Sequence, residues 1–347
     1  MSNSLDKINF KKQDPFGMIE DIEKFTELCN AANRLSADFS FPSYYVKAKK
    51  FVIVGMGGSG ISGEIIKRMV SESNIILEVV HDYNIPKWAD KDTVVIAISY
   101  SGNTEETLSA FNESYSIGCK LMAITSGGQL KSLAHKYKSP IFLFEYESKP
   151  RAAFPFMFIP LVNIFSKLGY LKLENFSKTI ELLDQLQQKF KLSVETEKNP
   201  AKLLAEKIHG RIPIIYTSCI LEGAGLRLKA QINEIAKNFA FVEVLPELDH
   251  NSIAGLKTPK NDSFVIMFES NFDSDRIVKR QNITAETLVK NDIPIERIKF
   301  VACDGELLET LGMVLFSDYV SYYLSILNGV DPSSNKNIDY LKKELAR

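Results

Sequence analysis

The residues best placed to do chemistry fall in two short segments, each following an apolar run. The first, Gly55-Met56-Gly57-Gly58-Ser59-Gly60, fits the pattern GxGxxG. Glycines let a backbone approach an anion closely, and the N-terminus of a following helix adds free N–H groups and partial positive charge. Three uses fit such a loop. A dinucleotide fold wants an acid about 20 residues further on, and Asp82 meets that spacing. Other phosphate ligands use the same glycines, and so does a tight strand-to-helix turn that binds nothing.

The second segment is Ser99-Tyr100-Ser101-Gly102-Asn103-Thr104-Glu105-Glu106-Thr107. It sets hydroxyls at Ser99, Ser101 and Thr104 on one turn that carries no lysine or arginine. Hydroxyls and amides at a helix N-terminus can surround the oxygens of a phosphomonoester. Nucleotide loops of the Walker type need GK[ST], and that lysine is missing here. The turn therefore suits a single phosphate better than a polyphosphate. Helix capping by Ser101 or Thr104 accounts for part of the pattern, but it gives Ser99 nothing to do. If both segments end parallel strands of one sheet, they share its C-terminal edge and converge on one ligand.

The elements that must position these loops follow from apolar patterning. Residues 1–47 form a helical lead-in, with helical spacing in GMIEDIEKFTELCNAANRL. Strands are expected at 51–55, 76–83, 93–101, 120–127 and 140–146, with helices between them. Residues 155–207 are helical and joining, and the polar VETEKNP (194–200) ends a linker. A second series has strands at 212–218, 241–246, 263–270 and 296–303, with helices near 222–238 and 275–290. An amphipathic helix over 305–328 and a tail ending in IDYLKKEL complete it. Continuous apolar strands separated by helices mean parallel sheets covered on both faces. The fold class is therefore α/β, with two doubly wound domains at 48–153 and 208–328, a helical connection at 154–207 and a tail at 329–347.

Composition removes several function classes. At 347 residues, 45% hydrophobic and 24% charged, the chain suits two soluble globular domains. Its formal net charge of −1 offers no general basic field for nucleic acid or an acidic membrane surface. The N-terminus has no apolar core segment of a signal peptide, and no run of about 18 apolar residues suggests a membrane span. Cys29, Cys119, Cys219 and Cys303 form no CxxC and have no histidine at metal spacing. Cys119, Cys219 and Cys303 adjoin apolar stretches as small buried hydrophobes. A cytoplasmic location is expected, with no cofactor and no metal.

GMGGSGISG (55–63) with ISYSGNTEET (98–107) resembles the SIS, or sugar isomerase, fold. SKPRAAFPFMF (148–158) and NEIAKNFAFVEVLPELDHNSIAG (233–255) narrow the resemblance to the bifunctional phosphoglucose/phosphomannose isomerases. It covers the chain from about residue 50 to the end, and the block containing NE and ELDHN is its most specific part. The resemblance implies two SIS-type, flavodoxin-like domains, a homodimer and a phosphorylated hexose substrate. Glucose 6-phosphate, and mannose 6-phosphate with it, would interconvert with fructose 6-phosphate through a cis-enediolate.

Site residues then take implied roles. Ser99, Ser101 and Thr104 hold phosphate, while Gly57, Gly58 and Ser59 shape the sugar side of the pocket. Glu234 is the proton-transfer base, although by itself it is one helix glutamate among many. His250 opens the ring from across the dimer interface, and histidine titrates in the right range for that task. Arg151 follows Pro150, precedes an apolar run and supplies a fixed cation to the enediolate. A C-terminal lysine, Lys342 before Lys343, reaches the site, where solvation on an amphipathic tail is the ordinary alternative. His81, His135 and His209 are left as structural or solvated. IAKNFAFVEV is less polar than the family's segment, and DPSSNKNID stands where the family has Thr-Pro; both bear on tolerance at C2. A non-catalytic phosphosugar-binding module and a dinucleotide-dependent oxidoreductase stay open as other classes.

Overall fold

The computed structural model describes residues 5–146, 150–173, 175–218, 221–257, 262–300 and 305–345. Cys219, Cys303, Ser148 and Lys149 lie outside the described residues. Three helices lead in: α1 (Phe10–Gln13), α2 (Met18–Glu23) and α3 (Phe25–Ala37). The first series then runs β1 (Lys50–Val54), α4 (Gly57–Met69), β2 (Ile76–Val80), β3 (Thr93–Ser99), α5 (Glu105–Ile117), β4 (Lys120–Thr125), α6 (Gly128–Lys136) and β5 (Ile141–Leu143). Helices α7 (Phe154–Lys167), α8 (Phe176–Gln188) and α9 (Pro200–Ile208) follow. The second series is β6 (Ile212–Ser218), α10 (Glu222–Glu234), β7 (Phe241–Leu245), β8 (Ser263–Phe268), α11 (Asp275–Lys290), β9 (Ile295–Ile298), α12 (Glu306–Leu327) and α13 (Lys336–Leu345).

The first sheet is wholly parallel in the order β2-β1-β3-β4-β5. Every residue of β3 is buried, as a central strand covered on both faces requires. On one face Val95 and Ala97 meet Ala110 and Phe111 of α5 and Leu130 and Ala134 of α6. On the other face a Cβ at Gly63 of α4 would come within 2.9 Å of Ile53 Cγ2. There, too, the Phe51 ring sits 5.3 Å from that of Phe165 on α7. Strand order reverses between β1 and β3, and such a switch point opens a crevice at the strands' C-terminal ends. The glycine segment follows β1 and the hydroxyl segment follows β3, so the winding delivers both to that crevice.

The second sheet repeats the winding with four parallel strands, β7-β6-β8-β9. The chain divides into two compact units, Lys24–Leu182 with Asp304–Leu308, and Met1–Glu23 with Leu183–Cys303 and Glu309–Arg347. The lead-in is thus shared: α3 goes with the first sheet, whereas Phe10 of α1 stacks on Tyr322 of α12 at 6.3 Å. Among the described residues α12 alone is long and apolar enough to cross a membrane, and 94% of its apolar window is buried in the protein.

Helix α10, which ends at Glu234, is tied to α12 by a buried ion pair. Arg227 donates from Nε and Nη2 to the two oxygens of Asp318 at 3.0 and 2.9 Å, and Gln231 Nε2 adds a bond at 2.7 Å. The two side chains are only 2% and 5% exposed. Removing one partner of such a pair leaves a charge in a low-dielectric site. Asp318→Leu is therefore expected to cost about 3–5 kcal/mol of stability, measured by denaturant unfolding. A loss below about 1 kcal/mol would mean that the pair is not what fixes α10.

Candidate active site

In the hydroxyl loop the side chains bond mainly to one another and to the loop's own backbone. Ser99, 2% exposed at the end of β3, lies with Oγ 3.0 Å from Thr104 Oγ1 and accepts the Gly102 amide at 3.1 Å. Ser101 is exposed, and its Oγ accepts the Asn103 amide at 3.2 Å. Thr104 occupies the N-cap of α5 but makes no side-chain capping bond. Plain capping therefore does not explain these hydroxyls. Three residues on and on the same helix face, Thr107 buries a hydroxyl that has no partner among the described residues.

A second loop, to which the sequence motifs did not point, locks this one in place. The Leu130 amide donates to Gly102 O at 2.8 Å and the Gln129 amide to Asn103 Oδ1 at 3.0 Å. Ser126 donates to Tyr100 O from its amide at 3.2 Å and from Oγ at 2.6 Å. The first amides of α6 thus use acceptors of the hydroxyl loop and leave that loop's donors alone. Contact is at backbone distance: a Cβ on Gly102 would stand 1.9 Å from Gly127 O, and one on Gly128 would stand 2.3 Å from Ser101 O. Both glycines have left-handed φ, +66° in each case. The available signal was the Gly127-Gly128 pair directly after a strand.

In the glycine loop, Gly57 opens α4 with φ +52° and is exposed, and Gly58 is half-buried. Ser59 is buried and donates to Met157 Sδ of α7 at 3.0 Å. Asp82, which a dinucleotide would need, accepts the next amide, that of Tyr83, at 2.6 Å. Arg151 sits in the turn Pro150–Ala153 ahead of α7 and is only 8% exposed, so it is no surface arginine. Its segment touches both loops. Tyr100 of the hydroxyl loop donates to Tyr146 O at 2.7 Å on one side of Arg151, and Met157 meets Ser59 on the other.

The second unit has a counterpart of the hydroxyl loop at the same register, since Ser263 to Ser274 matches Thr93 to Thr104 from strand start to N-cap. There the chain supplies its own anion. Asp273 accepts from Ser218 Oγ at 2.8 Å, from the Ser270 amide at 3.1 Å and from Gln281 Nε2 at 2.8 Å. Ser274 also caps α11 by accepting the Ile277 amide. Of the two switch points, the second holds a carboxylate inside its loop, whereas in the first Ser99, Ser101 and Thr104 bond to one another and to the loop's own backbone.

Glu234 is half-buried at the last position of α10. Its carbonyl accepts from Lys237 Nζ, which also reaches Asn335 Oδ1 at 3.4 Å, just before α13 begins. Lys342 is exposed on α13. His250 is exposed at the end of the turn Glu247–His250, which follows β7. Its neighbour Asp249 accepts from Arg280 Nη1 and from Thr284 Oγ1, both at 2.8 Å, so α11 holds the turn. Because β6 and β7 are parallel, α10 must run back along the sheet. Glu234 therefore emerges where β7 begins, and His250 follows its other end. The five residues of β7 cover about 17 Å. Within one unit the two residues do not meet.

Residues 44–137 match the SIS domain model, and residues 197–345 match the model of the bacterial phospho-glucose isomerase C-terminal SIS domain. A bifunctional phosphoglucose/phosphomannose isomerase from Caldicellulosiruptor bescii is 36% identical over 95% of this chain and 99% of its own. One from Aquifex aeolicus is 34% identical over 86% and 91%. The chain belongs to the bifunctional phosphoglucose/phosphomannose isomerase family. A D-glucosamine-6-phosphate 4-epimerase from Sulfolobus acidocaldarius is 33% identical over 63% of this chain and 67% of its own. Among solved structures, the C-terminal domain of glucosamine-fructose-6-phosphate aminotransferase from Francisella tularensis gives a TM-score of 0.72 at 15% identity, covering 91% and 98% of the two chains. Tagatose-6-phosphate ketose/aldose isomerase from Escherichia coli gives 0.66 at 13%, covering 96% and 95%. At those identities the likeness shows the fold: the α/β class of two doubly wound SIS domains is as expected for this isomerase family.

Gly102→Ala tests the interlock. Gly118 also has left-handed φ, +87°, but a Cβ there meets nothing within 4 Å. Gly118→Ala should cost only the strain, about 1–3 kcal/mol, and Gly102→Ala clearly more in thermal unfolding. Equal losses at the two positions would contradict the interlock.

Proposed function

We propose that the protein is an aldose–ketose isomerase that interconverts glucose 6-phosphate, and mannose 6-phosphate, with fructose 6-phosphate. The supporting observation is the loop at 99–104, whose hydroxyls sit at the first sheet's switch point and are not spent on capping. The chain around it aligns almost end to end with relatives named for this reaction.

In this reading Ser99, Ser101 and Thr104, with the first amides of α5, hold the phosphate, and Gly57, Gly58 and Ser59 border the sugar. His250 protonates the ring oxygen as the anomeric hydroxyl loses its proton, which opens the ring. The Glu234 carboxylate then takes the proton from C2 of the open aldose, and the electron pair moves to the carbonyl as a cis-enediolate. The same carboxyl returns the proton to C1 while the proton of the C2 hydroxyl passes to the C1 oxygen, which yields the ketose. Arg151 faces the enediolate oxygens as a fixed cation, where preorganised charge lowers the barrier most. Lys342 approaches from α13.

Glu234 and His250 stand at opposite ends of β7. Both act on one carbon pair only if His250 comes from a second copy of the chain, which supports a homodimer. A reducing, cytoplasmic setting suits the buried free thiols of Cys29 and Cys119.

A coupled assay on both aldose 6-phosphates tests the reading. Glu234→Gln should lower kcat by at least about 100-fold, with KM held within a few-fold, because a general base contributes that much or more. Near-normal turnover would remove Glu234 from the role, and inactivity of the wild type on both sugars would leave a non-catalytic binding protein. Ser101→Ala and Thr104→Ala should each raise KM, and an unchanged KM in both would take the phosphate away from the loop. Mixed dimers of Glu234→Gln with His250→Asn should regain activity that neither variant has alone. No recovery in such dimers would place both residues in one chain's site.

A further inference from the structure

His81, set aside in the sequence as structural or solvated, turns back from the end of β2 over the glycine loop. Its Nδ1 lies 2.8 Å from Gly55 O and its Nε2 lies 3.1 Å from Glu64 Oε1 on α4. Both neighbours are acceptors, a carbonyl and a carboxylate. A neutral imidazole carries one N–H and can serve only one of them, whereas the imidazolium donates to both. The ring is seated closely: a Cβ on Gly60 would stand 2.4 Å from His81 Cε1. Gly55 is itself wedged, since a Cβ there would lie 3.1 Å from the Gly60 amide, from the Ser59 carbonyl carbon and from Ile98 O. Ile98 is the residue before Ser99. Gly55 thus joins the two loops of the candidate site, and His81 grips its carbonyl.

We propose that His81 is a positioning residue for the sugar-phosphate site: as an imidazolium it clamps the Gly55 carbonyl to α4 and so sets the glycine loop beside the hydroxyl loop, and loss of its proton loosens substrate binding. The inference rests on the isomerase reading above and assigns it a pH-dependent KM. The charged groups facing the ring are Glu64 and Lys67, both on α4. Next in the chain is Asp82, whose carboxylate is bonded to the Tyr83 amide. The hydrogen bond from Glu64 holds the histidine above its ordinary value, with the Gly55 carbonyl adding to it and burial and Lys67 working against it. The sign follows: the clamp is complete at low pH and is lost as pH rises through the elevated value.

The test measures KM and kcat for fructose 6-phosphate between about pH 6 and pH 9, the span around histidine's ordinary range, for the wild type, His81→Gln, His81→Arg and Glu64→Gln. Wild-type KM should climb with pH. His81→Arg, a permanent cation with several donors, should hold KM low throughout. His81→Gln should show KM raised about tenfold already at low pH, the scale of one charge-assisted hydrogen bond, with kcat within a few-fold. In Glu64→Gln the climb should move to lower pH. The second ionisation of the substrate phosphate is common to all four proteins and cancels in the comparison. A wild-type KM in His81→Gln at low pH, a His81→Arg profile that follows the wild type, or a fall in kcat at constant KM would each overturn the proposal. Calorimetric titration of the same proteins with inorganic phosphate follows binding without turnover. If no sugar is isomerised, the isomerase reading fails while that titration still decides the role of His81.

Discussion

Where β3 ends, the chain turns within contact distance of the backbone that follows β4, and both segments manage it by placing a glycine with positive φ at the crossing. That crossing is the constraint from which the first unit's site follows. Gly102 and Asn103 give their acceptors to the first amides of α6, which fixes the height of the hydroxyl loop above the sheet. Ser99 and Thr104 then pair across the turn. A phosphate received by this loop meets neutral donors already in place, so little ordering of the loop is charged against binding.

The same winding, used twice, has two outcomes. At the first switch point, in the proposed reading, a serine/threonine turn receives the substrate's anion. At the second, Asp273 places a carboxylate within the loop, where it accepts from Ser218, Ser270 and Gln281. This difference gives each half its place in the proposed mechanism. The first half grips the substrate's phosphate, and the second contributes the groups that move protons, Glu234 from the tail of α10 and His250 from the turn after β7. The opposite placement of those two residues along β7 makes a second copy part of the proposed chemistry and not merely an aid to stability.

Much of this was legible in the residues, for identifiable reasons. Strands such as Thr93–Ser99 are apolar at nearly every position because both faces are covered, so the alternation of strands and helices shows without a structure. The loops after β1 and β3 were legible because glycine and hydroxyl residues concentrate there. Tertiary pairings were not. Gly127-Gly128 looks like any turn until it is seen against Ser101 and Gly102. Asp249 gives no sign in sequence that Arg280 and Thr284 hold it, nor does His81 that Glu64 lies one α4 turn from the loop. β2 was expected to run to residue 83 and ends at Val80, because His81 leaves the strand to reach the Gly55 carbonyl. The lead-in looked like one piece, yet helical periodicity cannot say which core a helix joins, and α1 and α3 join different ones.

The most direct test of a phosphate held by neutral donors is a crystal structure with fructose 6-phosphate bound. Phosphate oxygens are expected within hydrogen-bonding distance, about 2.7–3.2 Å, of the Ser99, Ser101 and Thr104 hydroxyls and the first amides of α5. A phosphate seated instead at the Asp273 loop, or anywhere away from residues 99–104, would contradict that arrangement.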